Sequence, residues 1–401
     1  MSLTICFLAF GCHQSQNVGD LSSITPLGIV PDPQNGYGSD VDQLAQPDDV
    51  ELLSDGSMVI SDVSNNLIKH FSADGVLLKS VSAKDLGLED SQILPTGISK
   101  DSSGFIYITL EGAGLIARLN SDLTLDQFIG KKCDITADNY YNPENDGCLI
   151  APQGIIVADN GDIYVVDMAK EVFKVKKIRN FGFRKFKQMN NDGAVSYAYD
   201  LEFAETQEIT TVMRKSEGMA ISENQKTLFI AEEKPQVGQF GNVSKKRYVA
   251  AFNLEDGRFL DRLIGVTMNN DSIVSGYFNE SVEGICTFGN NLFVVDEKAG
   301  QFYIFDIRSG KYKGSMGKKA YYYCNYKSDC VIDGINYNEH TIVAGLAKPH
   351  LKNDWRKNEL ASPDGISAAI LADGSSRLAI VDQWNSRILL YDLDSILQST
   401  D

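Results

Sequence analysis

The sequence predicts an all-β protein, a six-bladed β-propeller of four-stranded antiparallel blades closed by an N-terminal strand. Three observations predict it. Helical periodicity is almost absent, and short apolar runs alternate with turn signals such as SDG, ADG, DNG, EDG and RSG. One phrase, x-G-[IMV] followed by an apolar run, an acid and a second apolar run, recurs six times. Its period of roughly 40–65 residues, with three or four strands per unit, is that of propeller blades.

The six first strands open as PDDV (47–50), PTGI (95–98), PQGI (152–155), SEGM (216–219), VEGI (282–285) and PDGI (363–366). Second strands follow as SMVISD, FIYITL, DIYVVD, TLFIAEE, NLFVVD and RLAIVD. Third strands read NLIKHFSADG, GLIARLNSDL, EVFKVKKI, RYVAAFNLEDG, QFYIFDIRSG and RILLYDLDS. The chain ends shortly after the last of these, so blade six lacks its outer strand. SSITPLGIVP (22–31) supplies it from the N-terminus, a clasp that leaves no blade open. The segment 318–361 repeats two strands, CVIDGINYNEHTIVAGL, without a third, and reads as an insertion between blades five and six. A degenerate seventh blade is the alternative. The expected organisation is a signal segment over 1–12, a linker over 13–20 and one propeller over 21–396. Its blades start near 46, 94, 151, 215, 281 and 362.

The 401 residues carry a net charge of −17. That excludes nucleic acid as a partner, because phosphate binding needs a basic surface. It suits cations and basic ligands. The basic run KVKKIRNFGFRKFK (174–187) reads as a solvated strand and loop, with an anion site as the alternative. Apolar content of 43% is that of a soluble globular chain.

The N-terminus, MSLTICFLAFGCHQSQ, has a short apolar run before Gly11-Cys12. It resembles a bacterial lipoprotein signal, which implies export and lipidation of Cys12. The run is short, and no Lys or Arg precedes it. Cys133/Cys148 and Cys324/Cys330 each bracket a polar loop and are expected as disulfides of an oxidising compartment. Cys286 lies in a strand and reads as a buried free thiol. The expected location is the periplasm or cell surface, with membrane contact through the lipid anchor alone. A monomer is expected.

The residue before each glycine is the informative column: Asp48, Thr96, Gln153, Glu217, Glu283 and Asp364. It opens the innermost strand of each blade, so its side chains should converge on the central channel. Four carboxylates around one axis repel unless protonated or neutralised by a cation. An all-oxygen ligand set fits Ca²⁺. The alternative is a water-filled mouth with solvated acids. A second column, Asp62, Asp167, Glu232, Asp296 and Asp382, ends the second strands and reads as turn-capping. Glu232 and Glu233 are adjacent and point to opposite faces of their strand.

DVELLSDGSMVISDVSNNLIKHFSADG (49–75) resembles NHL repeats, which build propellers, commonly with six blades. SEGMAISENQKTLFIAEE (216–233) and GYFNESVEGICTFGNNLFVVDEKAGQFYIFD (276–306) resemble β-propeller phytases. Those are six-bladed, calcium-dependent phosphomonoesterases. That resemblance implies calcium held by Glu232, Glu233 and Glu283, with Asp364 or Asp333 from a following segment; the column before the glycines adds Asp48 and Glu217 to the candidate ligands. Glu232 and Glu283 are the candidate catalytic carboxylates. Lys69, Lys79 and Arg118 are the candidates for holding phosphate. Ser281 replaces an acid that the phytase motif carries.

No G-x-S-x-G, P-loop or G-x-G-x-x-G occurs, and the four histidines share no metal-binding spacing. Two readings stand side by side. One is a calcium-dependent phosphoric ester hydrolase acting on a small anionic substrate. The other is a non-catalytic binding or scaffold propeller for a protein or carbohydrate ligand. A lactonase-like site with one metal in the channel is a third.

Overall fold

A computed structural model describes residues 21, 24–31, 40–88, 92–133, 147–167, 182–191, 193–204, 216–232, 247–269, 272–278, 281–319, 330–332, 335–337 and 359–400. Their strands form six four-stranded antiparallel sheets, the blades of a propeller. The innermost strands are Pro47–Leu52, Pro95–Lys100, Pro152–Val157, Ser216–Ile221, Val282–Phe288 and Pro363–Ile370. Each packs beside the next, and the sixth returns to the first.

The second strands show why apolar residues run on without polar alternation. In Asn291–Asp296, Leu292 and Val294 pack toward blade four, while Phe293 and Val295 pack toward blade six. A strand sandwiched between two neighbours has no solvent face, so both sides of its pleat are apolar. The same division repeats at every blade boundary. Six separate cores result, one per boundary, rather than one central core.

The ring closes as the sequence predicts. Gly28–Val30 is the outer strand of blade six, with Gly28 opposite Leu390 and Val30 opposite Ile388. The Leu27 amide adds a bond to the Leu390 carbonyl. Leu21 is buried with Leu393 and Ile396 of the short C-terminal helix Leu393–Gln398.

The structure corrects one strand. The third strand of blade three is Gly182–Asn191, not EVFKVKKI, which lies outside the described residues. Charge pairing explains the choice. From this strand Arg184 reaches Asp167 at 2.9 Å and Lys185 reaches Asp162 at 3.0 Å. Part of the basic run is therefore buried in ion pairs rather than solvated.

No seventh blade stands between five and six. A side chain on Gly284 of blade five would collide with the backbone of Asp364 and Gly365 in blade six, so the two blades touch directly. The described parts of the insertion form small two-stranded pairings, Lys318–Lys319 with Glu359–Leu360 and Cys330–Ile332 with Ile335–Tyr337.

Cys133 and Cys148 form a disulfide, with Cα atoms 5.0 Å apart. Cys324 and the segment around Cys12 lie outside the described residues. Among the described residues, no helix is long and apolar enough to cross a membrane.

Candidate functional site

Glycine in the recurring phrase is a packing requirement. At Gly97, Gly154, Gly218, Gly284 and Gly365 an added Cβ would collide with the first strand of the next blade. At Gly218 it would lie 2.5 Å from the Glu283 carbonyl oxygen. Only a residue without Cβ lets the innermost strands approach this closely. The residue just before the glycine is then carried to the axis.

Blade one breaks the rule. Asp49 stands where the other five blades have glycine, and its carboxylate fills the gap to blade two. It accepts the Ile98 amide at 2.8 Å and the Val50 amide at 2.8 Å. Its own amide donates to the Ser61 hydroxyl at 2.8 Å. Burial outweighs these bonds and pushes the Asp49 carboxyl up to about 7, with the nearby Glu51 charge adding to the rise.

The six first strands enclose a central cavity of about 270 Å³. Asp48, Gln153, Glu217, Glu283 and Asp364 all line it, so the structure brings the four column acids together. Their mutual field is visible at Asp364. Burial raises its carboxyl well above the usual carboxylate range, and Asp48, Glu283, Glu217 and Glu297 raise it further. Gln383 Nε2 donates to Asp364 at 2.6 Å, and the Ser281 hydroxyl donates to Glu283 at 2.6 Å. Thr96 turns away from the axis, bonding the Thr109 hydroxyl at 2.9 Å and the Pro152 carbonyl at 3.1 Å.

The acids sit near the start of each first strand. The long connections between blades arrive at that end, the longest spanning Met316 to Pro363. At the opposite end every turn spans five residues or fewer. The acidic mouth therefore opens on the face that carries the chain's variable length.

Other candidate residues lie elsewhere. Glu232 is fully buried at the end of its strand, accepts the Ser216 hydroxyl at 3.1 Å and does not line the cavity. It belongs with Asp62, Asp167, Asp296 and Asp382, all buried and structural. Asp382 accepts the Ala361 amide at 2.7 Å and pairs with Arg387 at 2.6 Å. Asp167 accepts the Ile150 and Ala151 amides and pairs with Arg184. Asp62 accepts the Ala45 amide at 2.8 Å and pairs with Lys69 at 2.8 Å. In these three blades the acid ties the incoming chain and a third-strand cation to the second strand.

That pairing takes Lys69 out of any phosphate site, since it is wholly buried against Asp62. Lys79, on the outermost strand of blade one, donates to the Asp122 carbonyl of blade two. Arg118 pairs with Asp126 at 2.6 Å and lies 3.5 Å from the Phe105 ring centre. None of the three lines the cavity. Glu233 and Asp333 lie outside the described residues. Among the described residues, no three His, Cys, Asp or Glu side chains are grouped so as to hold a metal ion. Of the set that the phytase resemblance implies, the described residues bring Asp48, Glu217, Glu283 and Asp364 to one cavity and leave Glu232 outside it.

Channel residues that sequence reasoning missed include Asp49, Glu51, Lys100 and Cys286, the last a free thiol that is half-buried rather than buried. PDDV carried a signal for the first, an acid in the glycine column. Lys100 of blade two pairs with Glu51 of blade one and also donates to the Leu52 carbonyl.

No family model and no curated protein matches the chain. Solved structures that resemble it include a gluconolactonase from Xanthomonas campestris, at 12% identity, over 93% of this chain and 96% of that one, with a TM-score of 0.49. A virginiamycin B lyase from Staphylococcus aureus matches at 11% identity over 88% and 97%, with a TM-score of 0.44. A nidogen/laminin complex matches at 15% identity over 68% and 80%, with a TM-score of 0.42. At these identities and scores the likenesses carry no argument about what the chain binds or does. The six-bladed architecture rests on the strands themselves, and neither the NHL nor the phytase resemblance gains a family match.

Proposed function

We propose that this protein is a binding propeller that takes a small cationic ligand at the acidic mouth of its central channel. The observation that carries the reading is the convergence of Asp48, Glu217, Glu283 and Asp364, from four blades, on one cavity, where burial and the other three acids raise the Asp364 carboxyl. Charges held in such mutual repulsion favour any cation that enters. The cavity volume of about 270 Å³ suits a small organic cation. Acids spread around such a space can each accept an N–H bond without converging on one point, as a metal requires.

The reading places the protein outside the cytoplasm, supported by the Cys133–Cys148 disulfide. Lipid anchoring through Cys12 belongs to the same proposal. Among the described residues, the basic side chain that lines the cavity, Lys100, is already paired with Glu51, which weakens support for a phosphate-ester reading.

Thermal melting with calcium chloride or n-pentylamine hydrochloride tests the proposal. A ligand that binds only the folded state adds about 2.7 kcal/mol at a hundredfold excess over Kd. The amine should raise the melting temperature by several degrees, and Glu283→Gln should weaken that rise. A response to calcium alone makes the ligand a metal. A response to neither overturns cation binding.

A further inference from the structure

The channel has a second tier below the acids. Glu51, Ser99, Ile156, Ala220, Cys286 and Ser367 occupy equivalent positions, three residues further along each first strand, and all line the cavity. At about 3.3 Å per residue the tiers lie on the order of 10 Å apart.

The polar groups of this tier are occupied within the wall. The Ser99 hydroxyl accepts the Val157 amide of blade three at 3.2 Å, and Ser367 accepts the Leu52 amide of blade one at 3.2 Å. Glu51 is paired with Lys100. Blades three, four and five contribute Ile156, Ala220 and the Cys286 thiol, which burial and the Glu51 and Asp49 charges keep protonated. The tier is thus apolar on one side and charge-neutral on the other.

We infer that the ligand is an amphiphilic monoamine, with its ammonium among the mouth acids and a short hydrocarbon body against Ile156, Ala220 and Cys286. The inference rests on the reading of the mouth as a cation site. A diamine of the same length would carry its second charge into a tier where Glu51 is paired with Lys100 and Asp49 is turned to the Ile98 and Val50 amides, so its burial is poorly compensated.

Isothermal titration of methylamine, n-pentylamine and 1,5-diaminopentane into the full chain tests it. n-Pentylamine should bind at least about tenfold more tightly than methylamine, since each buried methylene adds to affinity. It should also bind more tightly than the diamine. Cys286→Asp should reverse the second preference. Equal affinity of the two monoamines, or tighter binding of the diamine to the unaltered protein, overturns the inference and leaves the cation site standing. Failure of all three amines to bind removes the cation site itself.

Discussion

The Ser281 hydroxyl donates to the Glu283 carboxylate at 2.6 Å, directly ahead of the glycine that brings blade five against blade six. Ser281 is 1% exposed and Glu283 7% exposed, so this bond helps to hold a nearly buried charge at the channel. A carboxylate precedes a glycine because the glycine sets how close the blades come, and the carboxylate faces what that closeness encloses.

Gly218→Ala should strain the ring. Its Cβ would meet the Glu283 carbonyl at 2.5 Å, against backbone that cannot rotate away. A loss of about 1–3 kcal/mol is expected, the usual range for overpacking. Urea unfolding measures it, and an unchanged midpoint would mean that the blades can separate freely.

Lys69→Met should be more damaging, although it keeps an apolar side chain of similar length. It leaves Asp62 wholly buried without its cation. Breaking a buried pair on one side costs about 3–5 kcal/mol. The double variant Asp62→Asn/Lys69→Met should recover part of that loss. A single variant as stable as the parent would show that Asp62 is held by the Ala45 and Asn65 bonds alone.

Removing the chain through Pro31 should expose the edge of Arg387–Asp392, which Gly28–Val30 now covers. Aggregation or a clear fall in melting temperature is expected. Unchanged melting and a monomeric elution volume would mean that the clasp contributes nothing to closure.

Stability should fall as pH rises from 5 to 8. Asp49 has its folded value near 7, above the ordinary carboxylate value near 4. A raised group binds its proton more tightly in the folded state, so its stabilising contribution is complete at low pH and is lost as pH rises through 7. Asp364, raised well above the carboxylate range, acts in the same direction. Each such proton contributes at most about 1.4 kcal/mol per pH unit. Asp49→Gly, which restores the residue of the other five blades, should flatten the curve. A profile that rises toward pH 8 would contradict both assignments.

The ring was legible in the sequence because strand periodicity fixes which residue of each first strand faces the axis. Asp48, Glu217, Glu283 and Asp364 could be aligned without coordinates. The second acidic column was legible as structural for the same reason. What could not be read was pairing between strands distant in sequence. Lys69 looks like an available cation until Asp62 is found opposite it, and Lys100 looks like a surface residue until Glu51 of the neighbouring blade meets it. Glu232 drew attention through its adjacency to Glu233, yet the strand register turns it into the wall beside Ser216. The third strand of blade three was misplaced because EVFKVKKI and GFRKFKQMNN are both runs that mix apolar and basic residues, and the partner acids Asp162 and Asp167 are what distinguish the second.

Asp364 sits beside three other ring acids, and burial with their charges raises its carboxyl well above the usual carboxylate range, so a cation bound there should draw protons off the ring. The most direct test is calorimetric titration of n-pentylamine at pH 6.5 in two anionic buffers that differ in protonation enthalpy. The observed heat should differ between buffers, giving a net proton release, and the release should shrink in Asp364→Asn. Binding heats that are identical in the two buffers, or no binding heat in either, would contradict the acidic channel as the ligand site.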